Sequence, residues 1–179
     1  QYSSLTSFVG DPFVNFAIMA LIVIGGIGFM TWDDIKTNGL KWKRYRMQSK
    51  VILTTTALLI LIPAAYFFFF EFSDAPLNER IWSSFFQSVT PRTAGFNTVD
   101  LTTISETGCM IMIALMLIGG SPGSTAGGMK TTTFAVMLSN AVSVFRRREH
   151  THFFGRRISS DTLRNAATIF MMYVTLCLV

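Results

Sequence analysis

Two long runs without a charged residue most constrain what this chain can fold into. Residues 12–32 form one run of 21 residues, and residues 51–70 form a second run of 20. An α-helix rises about 1.5 Å per residue, so runs of this length can cross the ~30 Å hydrocarbon core of a bilayer. Hydrophobic residues make up 50% of the chain and charged residues only 14%, a composition typical of membrane proteins. We therefore predict an all-α integral membrane protein.

Positive charge is concentrated beside the apolar runs. Six Lys or Arg residues lie between positions 36 and 50, and five lie between positions 146 and 157. Because cytoplasmic loops carry an excess of Lys and Arg, both clusters are predicted to be cytoplasmic. Their position favours a juxtamembrane role over nucleic-acid binding. His150 and His152, in the second cluster, are interpreted as solvated loop residues rather than as a metal site or a pH sensor.

Residues 78–89 predict a helix that is too short to cross the membrane. Asn78 is a suitable N-cap, and Glu79 would lie near the positive end of the helix dipole. Ten or so residues span roughly 15 Å, about half a bilayer. Such a helix can enter the membrane and return if it is buried in protein. Its C-terminal end carries partial negative charge, which would favour a cation beside it.

The next residues, 90–97, read Thr-Pro-Arg-Thr-Ala-Gly-Phe-Asn and have the chemistry of an ion-filter strand. Threonine supplies a hydroxyl and a carbonyl, glycine tolerates backbone angles that other residues avoid, and the aromatic residue can wedge the strand in place. Carbonyl rings of this kind replace the hydration shell of a permeating cation. An ordinary Pro/Gly turn between two helices is the alternative. The candidate ligands are the backbone groups of Thr93, Ala94, Gly95, Phe96 and Asn97.

A glycine-rich stretch interrupts the apolar run that follows, residues 107–129. Its five glycines and one proline within ten residues cannot continue a helix, so we predict two helical halves with a polar joint. The candidate loop consists of Gly119, Gly120, Ser121, Pro122, Gly123, Ser124, Thr125, Ala126, Gly127, Gly128 and Lys130.

The sidedness of the basic clusters predicts where this loop lies. If both clusters are cytoplasmic, an even number of crossings separates them. Residues 51–70 cross once and the short segment 78–97 adds no crossing, so the interrupted run must cross once with its loop near membrane depth. Non-helical backbone there is tolerated only when it is buried or lines a water-filled path. A gate is the functional interpretation, and static packing of small residues is the alternative.

Catalysis and nucleotide binding are both disfavoured. Met129 separates Gly128 from Lys130, which breaks the spacing of a phosphate-binding loop, and an apolar helix rather than a strand precedes it. No carboxylate or histidine accompanies Lys130 in the interrupted run, so we expect no enzyme. Lys130 could repel a cation or bind a carboxylate elsewhere, and both alternatives stay open. Cys109 and Cys177 show no metal-binding spacing.

The segments Thr-Pro-Arg-Thr-Ala-Gly-Phe-Asn (90–97) and Gly-Gly-Ser-Pro-Gly-Ser-Thr-Ala-Gly-Gly-Met-Lys-Thr-Thr-Thr (119–133) resemble the membrane subunit of the Trk/Ktr/HKT potassium transporter superfamily, closest to the KtrB type. Members have four helix–pore-helix–filter–helix repeats around one pore. The resemblance implies that residues 1–50 hold the closing helix of a preceding repeat and a basic cytoplasmic loop. Residues 51–158 would form one complete repeat, with Gly95 as its filter glycine and 119–130 as its gating loop. Residues 159–179 would begin the next repeat.

The resemblance also implies a function and partners. These are potassium uptake across the plasma (inner) membrane, sodium as a coupling or activating ion, a homodimer, and a cytoplasmic nucleotide-binding regulatory subunit. A sodium-permeable or non-selective cation transporter, or a non-conducting scaffold, is the alternative. The chain is expected to be an internal piece of a multi-pass protein, because it begins with Gln1 and its last apolar stretch, 165–179, is too short to cross. Ser160-Asp161 is the predicted N-cap of that last helix.

Overall fold

The computed structural model describes residues 4–39, 41–147 and 152–178, so His150 lies outside the described residues. The prediction of a helical protein is confirmed, apart from an antiparallel hairpin of two-residue strands, β1 (His152–Phe153) and β2 (Arg156–Arg157). The helices are α1 (Pro12–Ile27), α2 (Phe29–Asn38), α3 (Met47–Tyr66), α4 (Leu77–Val89), α5 (Glu106–Leu117), α6 (Thr131–Phe145) and α7 (Ser160–Leu178). Single 3-10 turns lie at Thr6–Phe8, Trp42–Arg44 and Leu101–Thr103.

The first apolar run is not one straight helix, which corrects the prediction for residues 12–32. α1 and α2 meet at Gly28 with a bend of 97°. Gly28 has φ +88°, a conformation that ends a right-handed helix and that glycine adopts readily. The helix beyond the bend continues past the end of the charge-free run, through Asp33 and Asp34.

Asp34 fixes α2 against the start of α3. Its side chain is buried, and its carboxylate accepts hydrogen bonds from the backbone N–H of Arg46 at 3.1 Å and from the Ser49 hydroxyl at 2.5 Å. Arg46 is the N-cap of α3, so the carboxylate lies at the positive end of that helix dipole. The bent α2 therefore bridges the glycine break and the N-terminus of the next helix.

α3 confirms the second apolar run as a long helix. It continues through Pro63 and ends in a π-helical turn, Phe67–Glu71. Among the described residues, Met47–Glu71 is long and apolar enough to cross a membrane by itself, and the bent α1–α2 pair qualifies if it counts as one span. α5 and α6 are shorter apolar helices.

The far end of α3 is joined to α5 by Glu71. Its carboxylate accepts hydrogen bonds from the backbone N–H and the hydroxyl of Ser105, both at 2.6 Å. Ser105 is also the N-cap of α5, because its hydroxyl accepts from the N–H of Gly108 at 3.1 Å. Phe67, Ile104 and Met112 form a buried apolar cluster beside this junction.

The short helix is present at Leu77–Val89, but two predicted caps are wrong. Pro76 precedes α4 as its N-cap, and Asn78 lies inside the helix. The Asn78 side chain instead donates to the carbonyl of Gly10 and accepts from the Trp82 indole. At α7, the Ser159 hydroxyl accepts from the N–H of Thr162, so the cap lies one residue before the predicted pair.

Candidate functional site

Thr90 organises the segment that follows α4. Its carbonyl accepts hydrogen bonds from the N–H groups of Ala94 and Gly95, at 3.3 and 3.1 Å, and its hydroxyl donates to the carbonyl of Phe96 at 2.5 Å. Thr90 is itself buried at the C-terminal end of α4. The backbone of 93–96 is therefore folded tightly over the end of that helix.

The backbone angles within this segment are unusual. Thr93 and Gly95 have φ of +75° and +76°, and Ala94 between them does not have a positive φ. A positive φ is uncommon for a threonine and is found where the surrounding structure requires it. A Cβ added at Gly95 would meet no heavy atom within 4 Å, so backbone strain alone limits substitution there within the described chain.

The five candidate carbonyls differ in what they already bind. The carbonyl of Phe96 accepts from Thr90, and the carbonyl of Asn97 accepts from the N–H of Leu5 at 2.8 Å. The carbonyls of Thr93, Ala94 and Gly95 accept no hydrogen bond from the described residues. These three oxygens therefore keep their full capacity to bind a cation or water.

Three buried polar side chains near this segment were missed by the sequence analysis. Both amide atoms of Gln87, the Nε of Arg92 and the hydroxyl of Thr98 are buried without a hydrogen-bond partner among the described residues. Buried polar groups are normally paired, so these atoms are available to groups beyond the described part of the chain. The available signal for Gln87 was a polar helix face, because Ser83 and Ser84 lie four and three residues before it and are buried with it.

Asp100 carries negative charge just beyond the segment. Its exposed carboxylate accepts from the backbone N–H of Thr102 at 3.0 Å and from the Thr102 hydroxyl at 2.8 Å. The backbone hydrogen bond first, and the hydroxyl second, lower the pKa of Asp100 below its ordinary value. This carboxylate is therefore ionised at neutral pH.

The glycine-rich loop between α5 and α6 is closed at its base. The N–H of Gly119 donates to Met129 at 2.9 Å, and the N–H of Thr131 donates to the carbonyl of Gly120 at 3.1 Å. The hydroxyls of Ser121 and Thr131 form a buried pair at 3.0 Å. The end of α5 and the start of α6 thus meet at the base of the loop.

Close packing inside the loop explains two of its glycines, and Lys130 binds the backbone of the loop. A Cβ on Gly119 would lie 1.7 Å from the carbonyl oxygen of Gly127, and one on Gly120 would lie 2.4 Å from the Ala126 Cβ. The Lys130 ammonium donates to the carbonyl of Ala126 at 2.9 Å. Of the roles left open for Lys130, the described structure favours neither, because the ammonium binds the loop's own backbone.

The loop docks on the break between α1 and α2. The N–H of Ser121 donates to the carbonyl of Gly26 at 2.9 Å, and the N–H of Phe29 donates to the carbonyl of Gly123 at 3.1 Å. A Cβ on Gly28 would lie 2.6 Å from the carbonyl oxygen of Pro122. Gly25, Gly26 and Gly28 thus form the surface on which the loop packs.

The two predicted site segments meet at one cavity of about 280 Å³. Residues 93 and 94 line it from one side, and residues 125 and 126 of the loop line it from another. The remaining lining residues belong to α1 and are Leu21, Ile22, Gly25 and Gly26. Among the described residues no group of three or more His, Cys, Asp or Glu side chains could hold a metal ion. Backbone and hydroxyl oxygens are the cation ligands that this arrangement offers.

Relatives of known sequence match this chain over nearly its whole length. It is 36% identical over 172 residues to the Ktr system potassium uptake protein B of Bacillus subtilis (strain 168), covering 93% of this chain and 38% of that protein. It is 37% identical over 181 residues to the potassium/sodium uptake protein NtpJ of Enterococcus hirae, covering 98% of this chain and 40% of that protein. The chain thus spans about 40% of the length of these relatives.

A solved structure and a family model agree with this relationship. The potassium transporter TrkH from Vibrio parahaemolyticus superposes with a TM-score of 0.77 at 19% identity, over 98% of this chain and 39% of that one, which shows a common fold. The model of the TrkH family, described as a cation transport protein, matches residues 1–179. The resemblance drawn from residues 90–97 and 119–133 is confirmed, and the chain belongs to the TrkH family of cation transport proteins.

Proposed function

We propose that this chain is part of the pore subunit of a Ktr/Trk-type transporter and takes part in potassium uptake across the plasma membrane. The observation that carries the proposal is the shared cavity, which residues 93 and 94 line together with residues 125 and 126. A filter and a gate must lie in series on one path, and these two segments have the composition for those roles. The printed names of the relatives, potassium uptake protein B and potassium/sodium uptake protein, support potassium as the ion.

The carbonyls of Thr93, Ala94 and Gly95 are proposed as the main ion ligands of the filter. An unpaired carbonyl at membrane depth costs several kcal/mol, unless it faces water or an ion. Of the candidate filter carbonyls, these three have no donor among the described residues. The carbonyls of Phe96 and Asn97 each accept one hydrogen bond. Each could therefore bind an ion only through its second lone pair.

The loop 119–130 is proposed to obstruct the path below the filter. Its positive-φ glycines, Gly123 and Gly128, allow it alternative backbone conformations, and a movable element needs these.

Residues 51–158 are proposed as one complete pore repeat, with 1–50 and 159–179 belonging to the neighbouring repeats. The basic clusters are proposed to face the cytoplasm, where a nucleotide-binding regulatory subunit would act on a homodimer of the complete protein.

Ion flux through the complete subunit in liposomes tests the filter. Gly95→Ser and Gly95→Asp should weaken the preference for potassium over sodium and rubidium or reduce uptake, because both place a side chain at φ +76°. Gly155→Ser is the matched control: Gly155 has φ +80° and equally open surroundings but lies in the β1–β2 turn. Unchanged flux and selectivity in both Gly95 variants would remove this segment from the pore.

A sodium-permeable transporter is the second candidate, and the name of the Enterococcus hirae relative favours it. The same liposome experiment separates the two candidates. Sodium flux equal to potassium flux in the intact subunit would establish the non-selective alternative.

A further inference from the structure

The bend at Gly28 removes helix hydrogen bonds that the molecule replaces from elsewhere. In a continuous helix, the carbonyls of residues 24–26 would accept from the N–H groups four residues later. Here the Trp32 indole donates to the carbonyl of Ile24 at 3.0 Å, within the bent element itself. The carbonyls of Gly25 and Gly26 accept instead from the loop, from the N–H groups of Thr125 at 3.4 Å and Ser121 at 2.9 Å.

The exchange is reciprocal, because α2 also donates to the loop. The N–H of Phe29 is the first donor of α2 without a partner inside the helix, and it binds the carbonyl of Gly123 at 3.1 Å. If the loop left, two carbonyls and one N–H of the break would lose their partners. At membrane depth only water entering the path could replace them.

Gly28 makes this contact sterically feasible. A Cβ added at Gly28 would lie 2.6 Å from the backbone oxygen of Pro122. That oxygen cannot rotate away as the end of a side chain can. A Cβ on Gly25 would lie 3.2 Å from the hydroxyl of Thr125, which can rotate. The two glycines therefore differ in how strongly a methyl group would displace the loop.

We propose that the α1–α2 break is the seat that holds the loop 119–130 in its obstructing position, and that Gly28 is a positioning residue for the gate. The gate itself rests on the proposed function. Within the described chain, the partners that the loop finds outside its own α5–α6 junction include the carbonyls of Gly25 and Gly26 and the N–H of Phe29. Occupancy of this seat is what separates the obstructed from the open path.

The test places a cysteine at Ala126 in a cysteine-free complete subunit and measures its rate of modification by a water-soluble thiol reagent, together with potassium flux. Gly28→Ala should raise the modification rate by roughly tenfold, the ratio that corresponds to the net loss of about one hydrogen bond. Potassium flux should rise with it. Gly155→Ala is the control, because it adds the same methyl group at φ +80° away from the loop.

The outcomes separate the seat from the gate. A faster modification without a rise in flux would support docking of the loop on the α1–α2 break and refute the role of the loop as a gate. An unchanged modification rate in folded Gly28→Ala protein would refute the proposal that the α1–α2 break holds the loop, whatever the flux. If Gly28→Ala does not fold, Gly25→Ala carries the test with a smaller expected increase, and a modification rate equal to that of the Gly155→Ala control would overturn the proposal.

Discussion

Deletion of residues 121–128 should open the proposed path. The deletion joins Gly120 to Met129, and these residues already lie at the closed base of the loop, where the N–H of Gly119 binds Met129 at 2.9 Å. Because the bridge between Ile118 and Met129 is parallel, the new bond between residues 120 and 129 requires a local shift of this junction, so the yield of folded protein must be followed together with flux. If the loop is a gate, potassium flux through the complete subunit should rise, while selectivity stays near the intact value.

The contacts of the loop set the size of this rise. Three backbone hydrogen bonds join it to the α1–α2 break, and one of them is long at 3.4 Å. At about 0.5–1.5 kcal/mol of net stabilisation for each of the two shorter bonds, with the long bond contributing little, the docked loop is favoured by roughly 1–3 kcal/mol. Since about 1.4 kcal/mol corresponds to a tenfold change, flux should rise roughly 5- to 150-fold unless the filter becomes limiting.

Flux and the yield of detergent-stable protein must be measured together, in liposomes that contain equal amounts of the intact and the shortened subunit. Static packing by the loop predicts low yield and low flux instead. Ser121→Ala is the control for packing at the base of the loop, because it removes the buried hydroxyl pair with Thr131 and keeps the loop. A well-folded deletion variant with flux no higher than that of the intact protein would refute the gate.

Two further predictions concern stability and topology. Asp34→Asn should lower the free energy of unfolding by about 2 kcal/mol, because it weakens charge-assisted hydrogen bonds at the start of α3, whereas Asp33→Asn, on a side chain that is 61% exposed, should change it by less than about 0.5 kcal/mol. Equal effects of the two substitutions, in unfolding by a denaturing detergent, would contradict the bridging role of Asp34. Cysteines introduced at Lys43 and Arg147 should react with a membrane-impermeant reagent only from the cytoplasmic side, and one at Asp74 only from outside. Labelling at Arg147 from outside would mean that α5 and α6 cross separately.

The sequence predicted those elements that depend on local composition. The long helix α3 follows from the charge-free run 51–70, and the interruption before α6 follows from the density of glycine and proline. The short helix α4 was predicted from residues 78–89. The cap of α4 was missed because Asn78 uses its side chain for the carbonyl of Gly10, which lies 68 residues earlier. Such a partner has no local signature.

The bend at Gly28 was missed for a related reason. Glycines inside an apolar run are compatible with a straight helix whose neighbours pack closely, and only the loop distinguishes the two arrangements. The hydroxyl of Thr125 binds the carbonyl of Gly25 across 100 residues of sequence. The angle of 97° therefore depends on residues that no local pattern connects to it.

The exchanged hydrogen bonds at this bend bear on how the protein is inserted. When α1 first enters the bilayer, Ser121 and Thr125 have not yet been synthesised, so the carbonyls of Gly25 and Gly26 have no loop to bind. With no water in the hydrocarbon core, a straight helix over 12–32 is the arrangement that satisfies them. If the break lies at membrane depth, as proposed, the bend would form late, when the glycine-rich loop arrives and binds those carbonyls. Biogenesis would pass through the straight helix that the sequence favours, and folding would be complete only when two interrupted helices had satisfied each other.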